Sequence, residues 1–105
     1  MDFEFDELKR EFLAEARAKV DEIRAGLRQP NPTAWERMTY LAHQLKGAGG
    51  SYGFQNISTE AAALETTLEH MADDGNAESV GDLEKHVKAL GDEIEKRYAE
   101  LAPST

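Results

Sequence analysis

Apolar residues in this chain recur every three or four positions in four separate runs, and no run alternates with the period of two that a strand needs. Phe5, Leu8, Phe12, Ala16, Val20, Ile23 and Leu27 make the first stripe, the spacing of one helix face. It predicts a helix over about residues 4–28, stopped where Pro30 and Pro32 disfavour continuation. Asn31 before Pro32 supplies an N-cap and first-turn pair for a second helix, over 32–52. Its inward positions are Trp35, Met38, Leu41, Ala42, Leu45, Ala48, Gly49 and Tyr52. Gly53-Phe54-Gln55-Asn56 reads as a turn, with Asn56 or Ser58 capping a third helix over 57–73 that buries Ile57, Ala61, Leu64, Leu68 and Met71. Asp73-Asp74-Gly75 ends that helix. Asn76 then caps a fourth, over 77–101, with Val80, Leu83, Val87, Leu90, Ile94, Tyr98 and Leu101 along one side. Four such helices with short connections predict an all-α, antiparallel up-and-down four-helix bundle. A length of 105 residues suits a single domain over 1–105. Four stripes suffice to close a bundle within one chain, so a monomer is expected.

Composition narrows the function classes. The chain has no cysteine, so disulfides and thiolate metal sites are excluded and a cytoplasmic location is expected. The acidic start, Met1 to Glu7, lacks the basic end and apolar run of a signal peptide. The longest apolar run, Ala61 to Leu64, is far too short to cross a membrane. A net charge of −9 opposes long-range attraction to nucleic acid or anionic lipid. That charge is unevenly spread: between Thr33 and Asn56 the only acid is Glu36, against Arg37 and Lys46, a local balance of +1 that leaves −10 for the rest. Phosphate meets least repulsion in that segment.

The second stripe also holds an anomaly, Lys46-Gly47-Ala48-Gly49-Gly50-Ser51-Tyr52-Gly53. A glycine inside a helix costs about 1 kcal/mol relative to alanine, so three in four positions cost roughly 2–3 kcal/mol. A small domain has only about 5–15 kcal/mol of net stability. A loop starting at Gly47 would remove the cost, but the periodic face continues to Tyr52, and Gly53 is the better terminator. Close helix packing accounts for Gly49, on the inward side with Leu45 and Tyr52. It does not account for Gly47 and Gly50, on the other side.

Helical geometry brings His43 into view. It stands two positions, about 200°, from inward Leu45, and so points to solvent. Lys46, Gly47 and Gly50 follow at i+3, i+4 and i+7 on the imidazole's own face. An exposed histidine, a lysine one turn on and a strip without side chains suit close approach by a partner. Neutral imidazole is a nucleophile that can hold a phosphoryl group on one ring nitrogen. Lys46 can offset the phosphate's charge. An acceptor from a neighbouring helix must hold the other nitrogen. Glu65, beside buried Leu64 at the edge of the third stripe, is the candidate. No nucleotide-binding glycine loop, Walker lysine or magnesium-binding carboxylate cluster accompanies His43, so autonomous kinase chemistry is not expected. His70 with Asp73 and Asp74 reads as a solvated helix end and His86 as a lone surface residue, so no metal or other cofactor is expected in this chain.

The stretch Ala42-His43-Gln44-Leu45-Lys46-Gly47-Ala48-Gly49-Gly50-Ser51-Tyr52-Gly53-Phe54 resembles the phosphorylation motif of the histidine-phosphotransfer domains of bacterial two-component phosphorelays. The resemblance implies that His43 is the phosphoacceptor, that Lys46 stabilises the phosphate, and that Gly47, Gly50 and Gly53 shape the docking face. It also implies exchange with the aspartate of response-regulator receiver domains, which hold Mg²⁺ themselves, and a histidine kinase upstream. Gly-Gly-Ser-Tyr-Gly-Phe is similar as well to the N-terminal phosphotransfer domain of chemotaxis histidine kinases. There a glutamate 22 positions after the histidine contacts the ring, and Glu65 has that spacing. Many of those domains carry a second histidine three positions before the glutamate, where this chain has Ala62, so a longer imidazole network is not expected.

Two other readings stand beside that of a phosphorelay intermediate. The chain is an excised phosphotransfer domain of a chemotaxis-type kinase if the native reading frame extends past it; a stand-alone carrier is expected to end near Thr105. A helical adaptor that uses the same face without phosphorylation is the rival of another class.

Overall fold

A computed structural model describes residues 3–74 and 79–101 as four helices, with no strand among them. They are α1 (Phe3–Arg28), α2 (Pro32–Ser51), α3 (Gln55–Asp74) and α4 (Ser79–Leu101). Asn31 caps α2 as its sequence predicts: its backbone is extended and its Oδ1 accepts from the Ala34 amide at 2.8 Å, with Pro32 in the first turn. Among the described residues α1 packs on α2 and α4, and α3 packs on α2 and α4, with α2 and α3 in the most extensive contact. On α1 and α4, Arg10 Nε donates to the Leu101 carbonyl at 2.9 Å, and the Arg17 guanidinium donates to both Glu95 carboxylate oxygens at 2.6 and 2.8 Å. Numbers rise along one helix as they fall along the other. The same holds for α2 and α3, where Lys46 meets Ser58 and His43 meets Glu65.

The core consists of the stripes. Met38, Leu41, Ala42 and Leu45 from α2 meet Ile57, Ala61, Leu64, Leu68 and Met71 from α3 and Leu83, Val87, Leu90 and Ile94 from α4. Fully burying a side chain of this size is worth roughly 1.5–3 kcal/mol, so the stripes carry the fold. No helix is long and apolar enough to cross a membrane among the described residues.

On α1 the structure corrects the expected face. Phe12, Ala16, Val20 and Ile23 are buried, but Phe5 and Leu8 remain 37% and 47% exposed, and Leu13, outside the expected stripe, is fully buried. The stripe widens because α1 packs against two helices, and Leu13 faces with Phe12 into the core. Its first turns lie beside the α2–α3 turn, where Tyr52 and Phe54 stack on Phe12 with ring centroids 5.0 and 5.9 Å apart.

The α2–α3 connection is tighter than expected. Tyr52 is the C-cap of α2. The Gly53 amide donates to the Gly50 carbonyl at 3.1 Å and the Phe54 amide to the Gly49 carbonyl at 2.8 Å. Gly53 takes φ +83°, a left-handed conformation that favours glycine. This pair of bonds closes the helix end and reverses the chain within three residues. Consequently α3 starts at Gln55, not 57, and neither Asn56 nor Ser58 is its cap. The Phe54 carbonyl accepts the first helical bond, from Ser58. The Ser58 hydroxyl instead donates across to the Lys46 carbonyl at 2.8 Å. The predicted Asn76 cap of α4 lies outside the described residues.

Gly49 is where α2 and α3 touch. A Cβ there would lie 3.1 Å from the Ser58 backbone nitrogen and 3.2 Å from Ile57 Cγ2. Backbone cannot yield as a side chain does, so Gly49→Val must push the helices apart. Overpacking of this kind costs roughly 1–3 kcal/mol, and each kcal/mol lowers the Tm of a domain this size by about 4–8 °C. Thermal unfolding followed by circular dichroism checks this, and an unshifted Tm would refute the tight approach.

Candidate functional site

α2 presents His43 outward because Leu41, Ala42 and Leu45 are all drawn into the core around it. The His43 side chain is 64% exposed. Its Nδ1 lies 2.8 Å from Glu65 Oε2, and Lys46 Nζ lies 2.9 Å from Glu65 Oε1. One carboxylate from α3 thus holds both the imidazole and the ammonium from α2. Glu65 is itself only 12% exposed, while Lys46 is 41% exposed. Burial raises the Glu65 pKa, but hydrogen bonds from Lys46 and His43, with their charges, outweigh it and leave the carboxyl below its ordinary range. Glu65 is therefore ionised near neutral pH and can only accept. An imidazole without its second proton must therefore carry the remaining one on Nδ1, facing Glu65, and keep its lone pair on Nε2, which makes no hydrogen bond among the described residues.

The glycines divide into three kinds. Nothing lies within 4 Å of a Cβ placed on Gly47, and Gly50 would meet only Ser58 Oγ, at 3.7 Å. These two leave a bare lane running on from His43. Gly49 serves helix packing, and Gly53, also with open space around it, stops α2. The structure thus brings His43, Lys46 and Glu65 together, sets Gly47 and Gly50 beside them, and puts Gly53 in the turn below.

Three neighbours are not assigned to the site by the sequence. The Ser58–Lys46 bond ties the backbone of the lysine's turn to α3, and nothing in the local pattern announces it. Tyr40 and Gln44 flank the histidine, with Gln44 Nε2 donating to the Tyr40 hydroxyl at 2.7 Å. Their four-residue spacing on a helix is a signal that was available. Among the described residues no group of three or more metal-ligating side chains gathers.

This geometry suits an accessible nucleophilic nitrogen with its ring oriented from behind. No curated protein and no solved structure matches the chain significantly. The Hpt domain family does match it, over residues 7–100. Hpt domains are phosphocarriers, not autonomous kinases; they exchange with histidine kinases and response regulators. The chain belongs to the Hpt domain family, whose members carry out histidine phosphotransfer in two-component phosphorelays.

Proposed function

We propose that this protein is a phosphorelay intermediate that takes a phosphoryl group on His43 Nε2 and passes it to or from the aspartate of a receiver domain. The observation that carries this reading is the Nδ1–Glu65 hydrogen bond at 2.8 Å, which leaves the solvent-facing nitrogen as the free base. In the forward step the Nε2 lone pair forms a bond to phosphorus. The bond from phosphorus to the aspartyl oxygen breaks, and its electrons leave with the carboxylate. The Nδ1 proton stays on the ring, which takes up positive charge facing the Glu65 carboxylate, an electrostatic stabilisation that grows toward the transition state. Lys46, one turn along, balances the transferred phosphoryl group. Mg²⁺ belongs to the receiver in this reading, and the chain supplies no kinase activity of its own.

The reading takes the chain as one domain and a monomer, with helices running up and down. The opposed residue order in the α1–α4 and α2–α3 contacts supports that arrangement. Profiling against the receiver domains of the host is the direct test. Rapid exchange with one or a few of them is expected, and exchange with none would sink the proposal.

Gly47 offers a second measurement. A methyl group there meets open space, so Gly47→Ala should raise stability by up to about 1 kcal/mol through helix propensity. The same methyl narrows the lane beside His43, and phosphoryl exchange with a receiver should slow. A variant that gains stability and keeps its full exchange rate would show that the bare lane plays no part in docking.

A further inference from the structure

The surroundings of His43 on α2 are asymmetric. At about 100° per residue, Lys46 lies roughly 60° to one side of the histidine, toward α3, and Tyr40 roughly 60° to the other. Gln44 and Arg37 share the Tyr40 side, toward α1, where Arg37 donates to Glu22 at 2.6 and 3.3 Å. Tyr40 is a large side chain left 51% exposed. It is nevertheless held: Gln44 Nε2 donates to its hydroxyl at 2.7 Å, and the Arg37 guanidinium carbon lies 5.6 Å from its ring centroid. An exposed aromatic ring pinned at its hydroxyl and along its face has little rotamer freedom left to lose on binding.

Its position matters as much as its rigidity. Tyr40 is three residues from His43, about 4.5 Å along the helix axis. A protein that delivers a phosphoryl group to His43 covers a patch of roughly 800 Å², about 16 Å in radius if circular. Tyr40 must fall near the centre of that patch, where tyrosine, tryptophan and arginine anchors concentrate. Charge also favours a partner bearing an aspartyl phosphate, since the segment from Thr33 to Asn56 holds one acid within a chain of net charge −9.

We infer that Tyr40, with Gln44 fixing its hydroxyl, is the principal docking anchor for the receiver domain. The inference rests on the carrier function proposed above and extends it to how the partner is chosen. Lys46 and Glu65 serve the phosphoryl group, and Tyr40 serves the protein that brings it.

The test uses full-length protein and one receiver domain that exchanges measurably with the wild type. Tyr40→Ala should raise the receiver KM roughly 10- to 100-fold, and Tyr40→Phe, which keeps the ring, only about threefold. Labelling of His43 by phosphoramidate, a donor too small to need docking, is run on every variant. The loss in kcat/KM with the receiver should exceed the loss with phosphoramidate at least tenfold. A Tyr40→Ala protein with the wild-type KM, or one that loses both activities equally, overturns the inference alone. Absence of wild-type labelling at His43 by phosphoramidate and by every receiver removes the carrier reading, and the inference with it.

Discussion

Replacing His43 with glutamine is expected to abolish acid-labile phosphorylation by a phosphorylated receiver domain, down to the detection floor of the assay. Glutamine keeps the size and polarity of the side chain. Its amide nitrogen, however, has no basic lone pair to attack phosphorus. The His43 side chain is 64% exposed and contributes little to the core, so the variant should fold like the wild type. Circular dichroism and Tm separate a chemical loss from a structural one. The other histidines serve as internal controls: His70 is exposed and His86 partly buried, and among the described residues neither is paired with a carboxylate in the way His43 is. Labelling of the glutamine variant at the wild-type level would falsify the assignment of the phosphoacceptor.

The second large effect is expected at Glu65. In Glu65→Gln one amide must serve two donors, His43 Nδ1–H and the Lys46 ammonium. If its oxygen faces His43, its NH₂ is set against Lys46, donor against donor. If its oxygen faces Lys46, its NH₂ meets Nδ1, which must then accept, and the ring proton moves to Nε2. The nucleophilic lone pair is lost in that tautomer. Either way the negative charge that faces the phosphorylated ring is gone. Loss of the carboxylate that orients a metal-ligating imidazole typically costs 10–100-fold; Glu65 orients His43 in the same way, and a fall of about that size in the phosphotransfer rate is expected here. Nitrogen NMR of the ring adds a readout that a merely structural role would not move. The wild type should show the proton on Nδ1, and the variant a shift toward Nε2. A wild-type rate with an unchanged tautomer would mean that Glu65 is only a surface partner of Lys46.

Much of this site is legible in the sequence. Outward His43 followed from inward Leu45 two positions away, because helical geometry leaves no alternative once one face is buried. Gly47 and Gly50 stand out because their cost has no packing return: open space surrounds Gly47, and a Cβ on Gly50 would meet only Ser58 Oγ, at 3.7 Å. Lys46 at i+3 was equally readable. Glu65 was only a candidate, since reach between helices depends on how closely they pack. That distance is set by Gly49 against the Ser58 backbone and Ile57, a contact between residues eight or nine apart in sequence.

The expectations that failed share a cause. Phe5 and Leu8 have the right period yet stay exposed, because periodicity says which residues share a face, not where the neighbouring helix ends. Asn56 and Ser58 are good caps in isolation. The left-handed Gly53 completes the reversal so early that α3 has already begun, and Ser58 is released to bind the Lys46 carbonyl.

Helix number, buried faces and the outward imidazole arise from local periodicity and chain stereochemistry, which each segment carries within itself. The shared carboxylate and the tautomer it imposes required the assembled bundle. They depend on distances between helices, and close packing of side chains from all four stripes sets those distances only once the core has formed.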